Sequence, residues 1–271
     1  MHAMKRLLSL AVFSAIVWSM PAPAATRAQL EAPLPPASNV VVRILDRARQ
    51  VAESDVARRY TYDKRAVQDE MDAQGRVVKS TEKHYRVVLV GGLPFSRLVK
   101  VQGRDLSPAE LEKQNQREEK FRQRVTQVDV KKKAEKKEPW VTAELMDRFE
   151  FKVMKREAVQ GRPALVLAFV PRPSSARNIQ DKMLGRIAGT MWVDEQDYEI
   201  ARVEAKLKES LSLGWLGVIG SLTRCDLTLE RRRMADGVWV NAKHSLWIVA
   251  RKLFESMRFR TTEESDGFRR E

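Results

Sequence analysis

The acidic residues whose spacing is suited to chemistry are Asp194, Glu195 and Asp197. Paired carboxylates of this kind divide the acid and base or nucleophile roles in glycosidases. The same cluster also fits a tight turn between two strands, where Asp and Glu are ordinary residues, and that reading is favoured. A hydrolase built on Asp194, Asp197 and His244 is the one catalytic alternative. Beyond an expected leader the chain has two histidines, His84 and His244, each on an expected strand. Together with one cysteine they cannot make a three-His or Cys/His site, so no metal or cofactor is expected. His244 keeps step with Val240, Ala242, Leu246 and Ile248 and reads as a satisfied histidine on a mainly buried strand face. Cys225 stands alone, which excludes an intramolecular disulfide, and it reads as a core-facing strand residue. HExxH, GxSxG, GxxxxGK[ST] and GxGxxG are all absent, and Gly214, Gly217 and Gly220 have the wrong spacing for a nucleotide loop. No catalytic residues are assigned and no enzyme is expected.

The elements that would position these residues are mostly strands. From Gly189 to Ala205 the chain reads as strand, polar turn and strand. Ala201, Val203, Ala205, Leu207, Leu211 and Leu213 alternate with Arg202, Glu204, Lys206, Lys208 and Ser210, as in one long antiparallel strand with a dry and a wet face. Cys225, Leu227 and Leu229 repeat the pattern, and the turn Ala235-Asp236-Gly237 leads into Val238, Val240 and Ala242. Upstream, strands are expected from about Ala57 to Met71, Arg76 to Val90 and Phe95 to Val101, parted by Asp72-Ala73-Gln74-Gly75 and Gly91-Gly92. Phe149, Phe151 and Val153 begin another, and Ala164 to Val170 is apolar on both faces, as in a strand covered on each side.

Helices are expected at four further places, one of them a short helix from Trp140 through Met146 that leads into Phe149. Ser38 or Asn39 can cap one with Val41, Ile44, Leu45, Ala48, Val51 and Ala52 on its apolar side. Ser107-Pro108-Ala109-Glu110 has the form of a capping box opening a run of Glu, Lys, Arg and Gln to Val128. That helix is expected to be mostly solvated, and Lys131 to Lys137 mobile, the whole forming a charged insertion over 107–137. Ser174 or Ser175 can cap the last, striped by Ile179, Met183 and Ile187. The apolar loop around Trp215 and Leu216 either tucks into the mouth of the sheet or meets a membrane or partner.

The chain of 271 residues, with 43% hydrophobic and 32% charged residues, can bury one core, and its mean hydropathy of −0.44 excludes a multi-span membrane protein. Lys5 and Arg6 before Leu7–Met20, followed by Ala22-Pro23-Ala24, read as a signal peptide over 1–24 cleaved near Ala24, with an uncleaved anchor as the alternative. Residues 25–37 read as a flexible leader and 38–271 as a single domain. The net charge of +14 loses the two units of Lys5 and Arg6 to leave +12. Export and the absence of an aromatic-interleaved basic patch argue against nucleic acid, leaving anionic lipid headgroups or other envelope polyanions as the counterpart, or a merely solvated basic surface.

Gly-x-x-Trp-Val-Asp, Tyr-x-Ile-x-Arg-Val-x-Ala and Asp-Gly-Val-Trp-Val, carried by Gly189, Trp192, Val193, Asp194, Tyr198, Ile200, Arg202, Glu204, Asp236, Gly237, Val238 and Trp239, resemble the periplasmic lipoprotein-sorting family of LolA-like proteins. That resemblance implies an α+β fold, mainly β, in which a strongly curved antiparallel half-barrel sheet is closed by helices around an apolar cavity for acyl chains. The residues themselves leave open whether Phe149, Phe151, Leu165, Leu167, Phe169, Met183, Met191, Val203, Leu207 and Leu246 fill a core or line a hollow, and the resemblance favours the hollow. The implied function is that of a monomeric periplasmic carrier for a lipid or lipoprotein, with an anionic membrane surface as a further partner. The alternative is a sensor of the same fold that holds an envelope protein through its basic helix and Trp215. The segment Ser107 to Lys137 departs from the compact carriers.

Overall fold

The computed structural model describes residues 30–54, 59–128, 139–173, 175–176, 178–213, 220–252 and 255–271. The expected signal peptide, Lys131 to Lys137 and the Trp215–Leu216 loop lie outside them. Among the described residues no helix is long and apolar enough to cross a membrane.

Among the described residues twelve strands form one open, curved antiparallel sheet. The first three, β1 (Tyr60–Met71), β2 (Val77–Val90) and β3 (Leu93–Val101), are a meander ending in the two-residue β4 (Arg104–Asp105). β5 (Phe149–Val159), β6 (Arg162–Pro171), β7 (Ile187–Asp194) and β8 (Ile200–Leu207) make the second meander, and β9 (Leu211–Leu213), β10 (Gly220–Arg233), β11 (Trp239–Lys252) and β12 (Glu255–Arg270) the third. The order across the sheet is β4-β3-β2-β1-β12-β11-β10-β8-β7-β6-β5, so the last strand joins the first and closes the two halves into one layer. Among the described residues the helices are α1 (Ala37–Ser54), α2 (Pro108–Val128), α3 (Ala143–Asp147) and α4 (Ile179–Leu184). The α+β half-barrel expected from the sequence is the observed fold.

Three local expectations are corrected. The strand after the acidic turn does not run unbroken to Leu213. It stops at Leu207, where the Lys208 N–H is taken by the Arg186 carbonyl at 2.8 Å, and β9 then pairs afresh with β10 beyond β8. The helix after Pro173 is capped by Asn178, whose side chain accepts from Asp181 N at 2.8 Å, and Gly185 ends it after six residues. Ile187 therefore belongs to β7, and Ile179 is exposed. The first helix starts at Ala37, with the Pro36 carbonyl accepting from Asn39 N at 3.1 Å.

α1 is amphipathic, and Val40 and Ile44 are its buried pair. They pack with Val141 and Met146, and with Phe149, Leu165, Leu167, Phe169, Met191, Val193, Ile200 and Ala205 of the sheet, into the main core. Leu165 and Leu167 have no exposed surface. β6 is buried from Pro163 to Leu167 on both faces, as its two-sided apolar sequence requires. At Gly189 an added Cβ would lie 2.0 Å from the Glu204 carbonyl oxygen and 2.7 Å from Phe169 Cζ. Glycine is what lets the Phe169 ring lie across β7. The described end of the leader is tied down, because Arg156 Nη1 donates to the Ala32 carbonyl at 2.6 Å.

α2 is mostly solvated, as expected. Its capping box forms as written, with Ser107 N donating to Glu110 at 2.8 Å and Glu110 N to Ser107 Oγ at 3.4 Å. Its buried residues are Gln114, Glu118 and Val125, whereas Leu111 is exposed. The reason is position: α2 lies along β3 at the rim of the sheet. There Gln114 Oε1 accepts the Leu98 N–H at 3.1 Å, and Glu118 takes both Nε and Nη2 of Arg97 at 2.8 and 2.6 Å. A sheet edge offers polar backbone groups, so the helix covering it presents polar side chains.

Candidate functional site

The acidic turn after β7 is a structural lock. Asp194, 1% exposed, takes Nε and Nη2 of Arg162 at 2.6 and 2.8 Å and accepts the N–H groups of Gln196 and Asp197 at 3.0 and 2.7 Å. Glu195 holds Nε of Arg156 at 2.6 Å and its Nη2 at 2.7 Å. Asp197 accepts from Arg233 Nε at 2.6 Å and Trp239 Nε1 at 2.9 Å. Burial works to raise the Asp197 carboxyl, but these two donors and the nearby Arg162 outweigh it and hold it below its ordinary value. Behind the turn, Glu199 bridges Arg231 Nη1 at 2.6 Å and Arg47 Nε of α1 at 3.2 Å. With each carboxylate held by a cation, the turn offers no spare acid or base, and His244 sits elsewhere, midway along β11. The turn residues behind the sequence resemblance thus fasten one end of the sheet. Tyr60 belongs to the same fastening: its hydroxyl donates to Asp236 at 2.7 Å, and burial followed by this bond pushes the phenol up to about 12.

The inner face, the one α1 packs on, can be traced by register, because residues paired across antiparallel strands share a side. One row runs Phe151, Phe169, Gly189, Ala205, Leu227, Leu246, Thr261 and Gln68. The next runs Val153, Leu167, Met191, Val203, Leu229, His244, Glu263 and Ala66. A third places Cys225, Ile248 and Phe259 side by side. The helices make their principal contacts with β2, β3, β5 and β9. On β10, β11 and β12, the inner-face residues Leu227, Leu229, Leu246, Ile248 and Phe259 are all half-buried. They form an apolar strip beside the sealed core. Burial raises the Cys225 thiol at its border.

The ten lining residues expected from the sequence divide accordingly. Phe149, Leu165, Leu167, Phe169 and Met191 belong to the buried core, with Phe151 and Val203 packed against it. Met183, Leu207 and Leu246 are half-buried, and Leu246 alone of the ten lies on the strip.

Where the strip ends, charge begins. A cavity of about 260 Å³ is lined by Tyr62, Lys64, Leu229, His244, Glu263 and Ser265, among others. Lys64 Nζ lies 3.5 Å from a Glu263 oxygen and 5.1 Å from the centre of the Tyr85 ring. Burial raises the Tyr62 phenol, and Glu263 adds to it. A larger groove of about 690 Å³ runs between α2 and the β3 edge, past Arg97, Leu98, Leu106, Leu111, Gln114 and Arg122. Among the described residues no group of three or more His, Cys, Asp or Glu could hold a metal ion.

No family model and no curated protein matches the sequence. Solved structures of LolA-superfamily proteins are similar to it in fold. The putative outer membrane lipoprotein-sorting protein domain from Vibrio parahaemolyticus is 11% identical with a TM-score of 0.34, covering 85% of this chain and 93% of that one. The LolA superfamily protein NE2245 from Nitrosomonas europaea is 9% identical with a TM-score of 0.28 and the same coverages, 85% and 93%. The Pseudomonas aeruginosa MucA/MucB complex is 13% identical with a TM-score of 0.27, covering 86% of this chain and 99% of that one.

Lys64, Tyr62 and Glu263 escape sequence reasoning. Lys64 and Glu263 are 199 residues apart, and each looks like an ordinary charge on an alternating strand. Only the pairing of β1 with β12 brings them together. The strip residues Leu227 and Leu229 are visible as a dry face, yet nothing in their spacing says that they stay half-buried beside the core rather than sealed within it.

Proposed function

We propose that the protein is a non-enzymatic binding or carrier protein of the periplasm that takes the acyl chain of a lipid or lipoprotein on the inner face of its curved sheet. The observation that supports this is the half-buried strip of Leu227, Leu229, Leu246, Ile248 and Phe259, continuous by register with the sealed core. Apolar surface left part-open on a concave layer gains about 0.8 kcal/mol for each methylene it buries, so an acyl chain needs no polar machinery to be held. The expected signal peptide supports the periplasmic setting. The excess of basic residues suits approach to anionic membranes.

The test is displacement of an environment-sensitive acyl probe from the purified protein, together with native mass spectrometry after gentle extraction. Probe uptake by the wild type, lost in Leu229→Glu and Leu246→Glu variants that keep the wild-type circular dichroism, supports the reading. A protein that takes up no acyl probe and carries no lipid sinks it.

A further inference from the structure

We propose that Lys64 and Glu263 seat the zwitterionic headgroup of a phospholipid, the phosphate on Lys64 and a primary ammonium on Glu263. This rests on the acyl-binding reading above and names the class of amphiphile that the same face would take. Three observations carry it.

The first is placement. Glu263 lies in the row of Val203, Leu229 and His244, and Lys64 is paired with Ser265 on the same face, so a cation and an anion sit together directly beside the apolar strip. The second is unspent bonding capacity. Lys64 and Glu263 meet at 3.5 Å, well beyond the roughly 2.7–2.9 Å of a tight charge-assisted bond. An ammonium has three donors and a carboxylate two acceptor oxygens, so both can accept a further partner. Lys243, which also lines the cavity, is occupied by Glu264 at 2.9 Å on the opposite face. The third is size and continuity. The cavity of about 260 Å³ is smaller than a usual ligand pocket of ~300–1,000 Å³, and one of its walls is Leu229, the first residue of the strip. It suits a headgroup whose chain then runs along β10 from Leu229 towards Cys225, a distance of about 13 Å at the rise of a strand.

Charge complementarity selects the headgroup. A lone phosphate on Lys64 would face the uncompensated Glu263 carboxylate, and a lone ammonium on Glu263 would face Lys64. A ligand carrying both charges satisfies both, while Tyr62, kept protonated by its burial, stands at the same cavity as a donor.

The experiment compares three amphiphiles of one chain length below their micelle-forming concentrations: lysophosphatidylethanolamine, lysophosphatidylglycerol and the fatty alcohol. Wild-type protein is expected to bind the ethanolamine lipid at least about tenfold more tightly than the glycerol lipid, the scale of one charge-assisted hydrogen bond. Glu263→Gln should bring that ratio close to one, and Lys64→Met should lower the glycerol lipid to the level of the alcohol while weakening the ethanolamine lipid. Equal wild-type affinity for all three overturns the headgroup assignment and leaves the acyl reading standing. Binding of none of them overturns both, and so does capture of an apolar peptide by a protein that refuses all three. The wild-type ratio is decisive even where a variant fails to fold.

Discussion

Asp194 and Arg162 form a bidentate pair, 2.6 and 2.8 Å long, between the end of β7 and the start of β6, with the Asp194 side chain 2% and the Arg162 side chain 12% exposed. Removing one partner strands the other charge out of water, which costs about 3–5 kcal/mol for a buried pair. Asp194→Ala is therefore expected to lower unfolding free energy by that amount in urea denaturation. A change below about 1 kcal/mol would show that the turn is not the fastening described above.

Gly189→Ala forces a Cβ to within 2.0 Å of the Glu204 carbonyl oxygen and 2.7 Å of Phe169 Cζ. Backbone cannot give way as a flexible side chain does, so β7 and β8 must part locally. Overpacking of this kind costs roughly 1–3 kcal/mol, and here at least the upper end is expected. Thermal unfolding measures it, and an unchanged midpoint would count against the close approach.

Gln114→Leu removes the acceptor for the Leu98 N–H and uncovers polar backbone at the rim of the sheet. An unpaired buried donor costs about 1–3 kcal/mol, and an uncovered edge invites strand-to-strand association. Light scattering should detect concentration-dependent oligomers in the variant. A monomeric variant of undiminished stability would mean that α2 does not guard the edge.

Leu165→Ala and Leu246→Ala separate core from binding face. Leu165 has no exposed surface, so its truncation should cost about 2–5 kcal/mol. Leu246 is half-buried on the strip, so its truncation should cost clearly less while weakening acyl-probe binding several-fold. Equal stability losses with equal binding losses would erase the distinction between the two regions.

Acid should loosen the turn in a defined direction. The Asp197 carboxyl is held below its ordinary value against the pull of burial, so the ionised form stabilises the fold. That contribution is complete above the ordinary Asp range of about pH 4 and is lost as pH falls through the lowered native value. Asp197→Asn should flatten the fall of stability below about pH 4. An identical acid limb in wild type and variant would refute the role.

The local sequence determined the strands and turns of this protein, because alternation of side chains and the chemistry of turn residues act over a few residues. Cys225, Leu227 and Leu229 declared a dry face, Asp72 to Gly75 declared a hairpin turn, and Ser107 with Glu110 opened α2 as their spacing required. Which strands become neighbours is fixed only once the whole chain has folded. Alternation tells which side of its own strand a residue occupies, but the row it joins depends on register with strands far away in the chain. The pairing of β1 with β12 set Lys64 against Glu263, the rim position of α2 turned Gln114 and Glu118 inward, and the reach of α1 left Leu246 and Ile248 part-open while sealing Leu165 and Leu167.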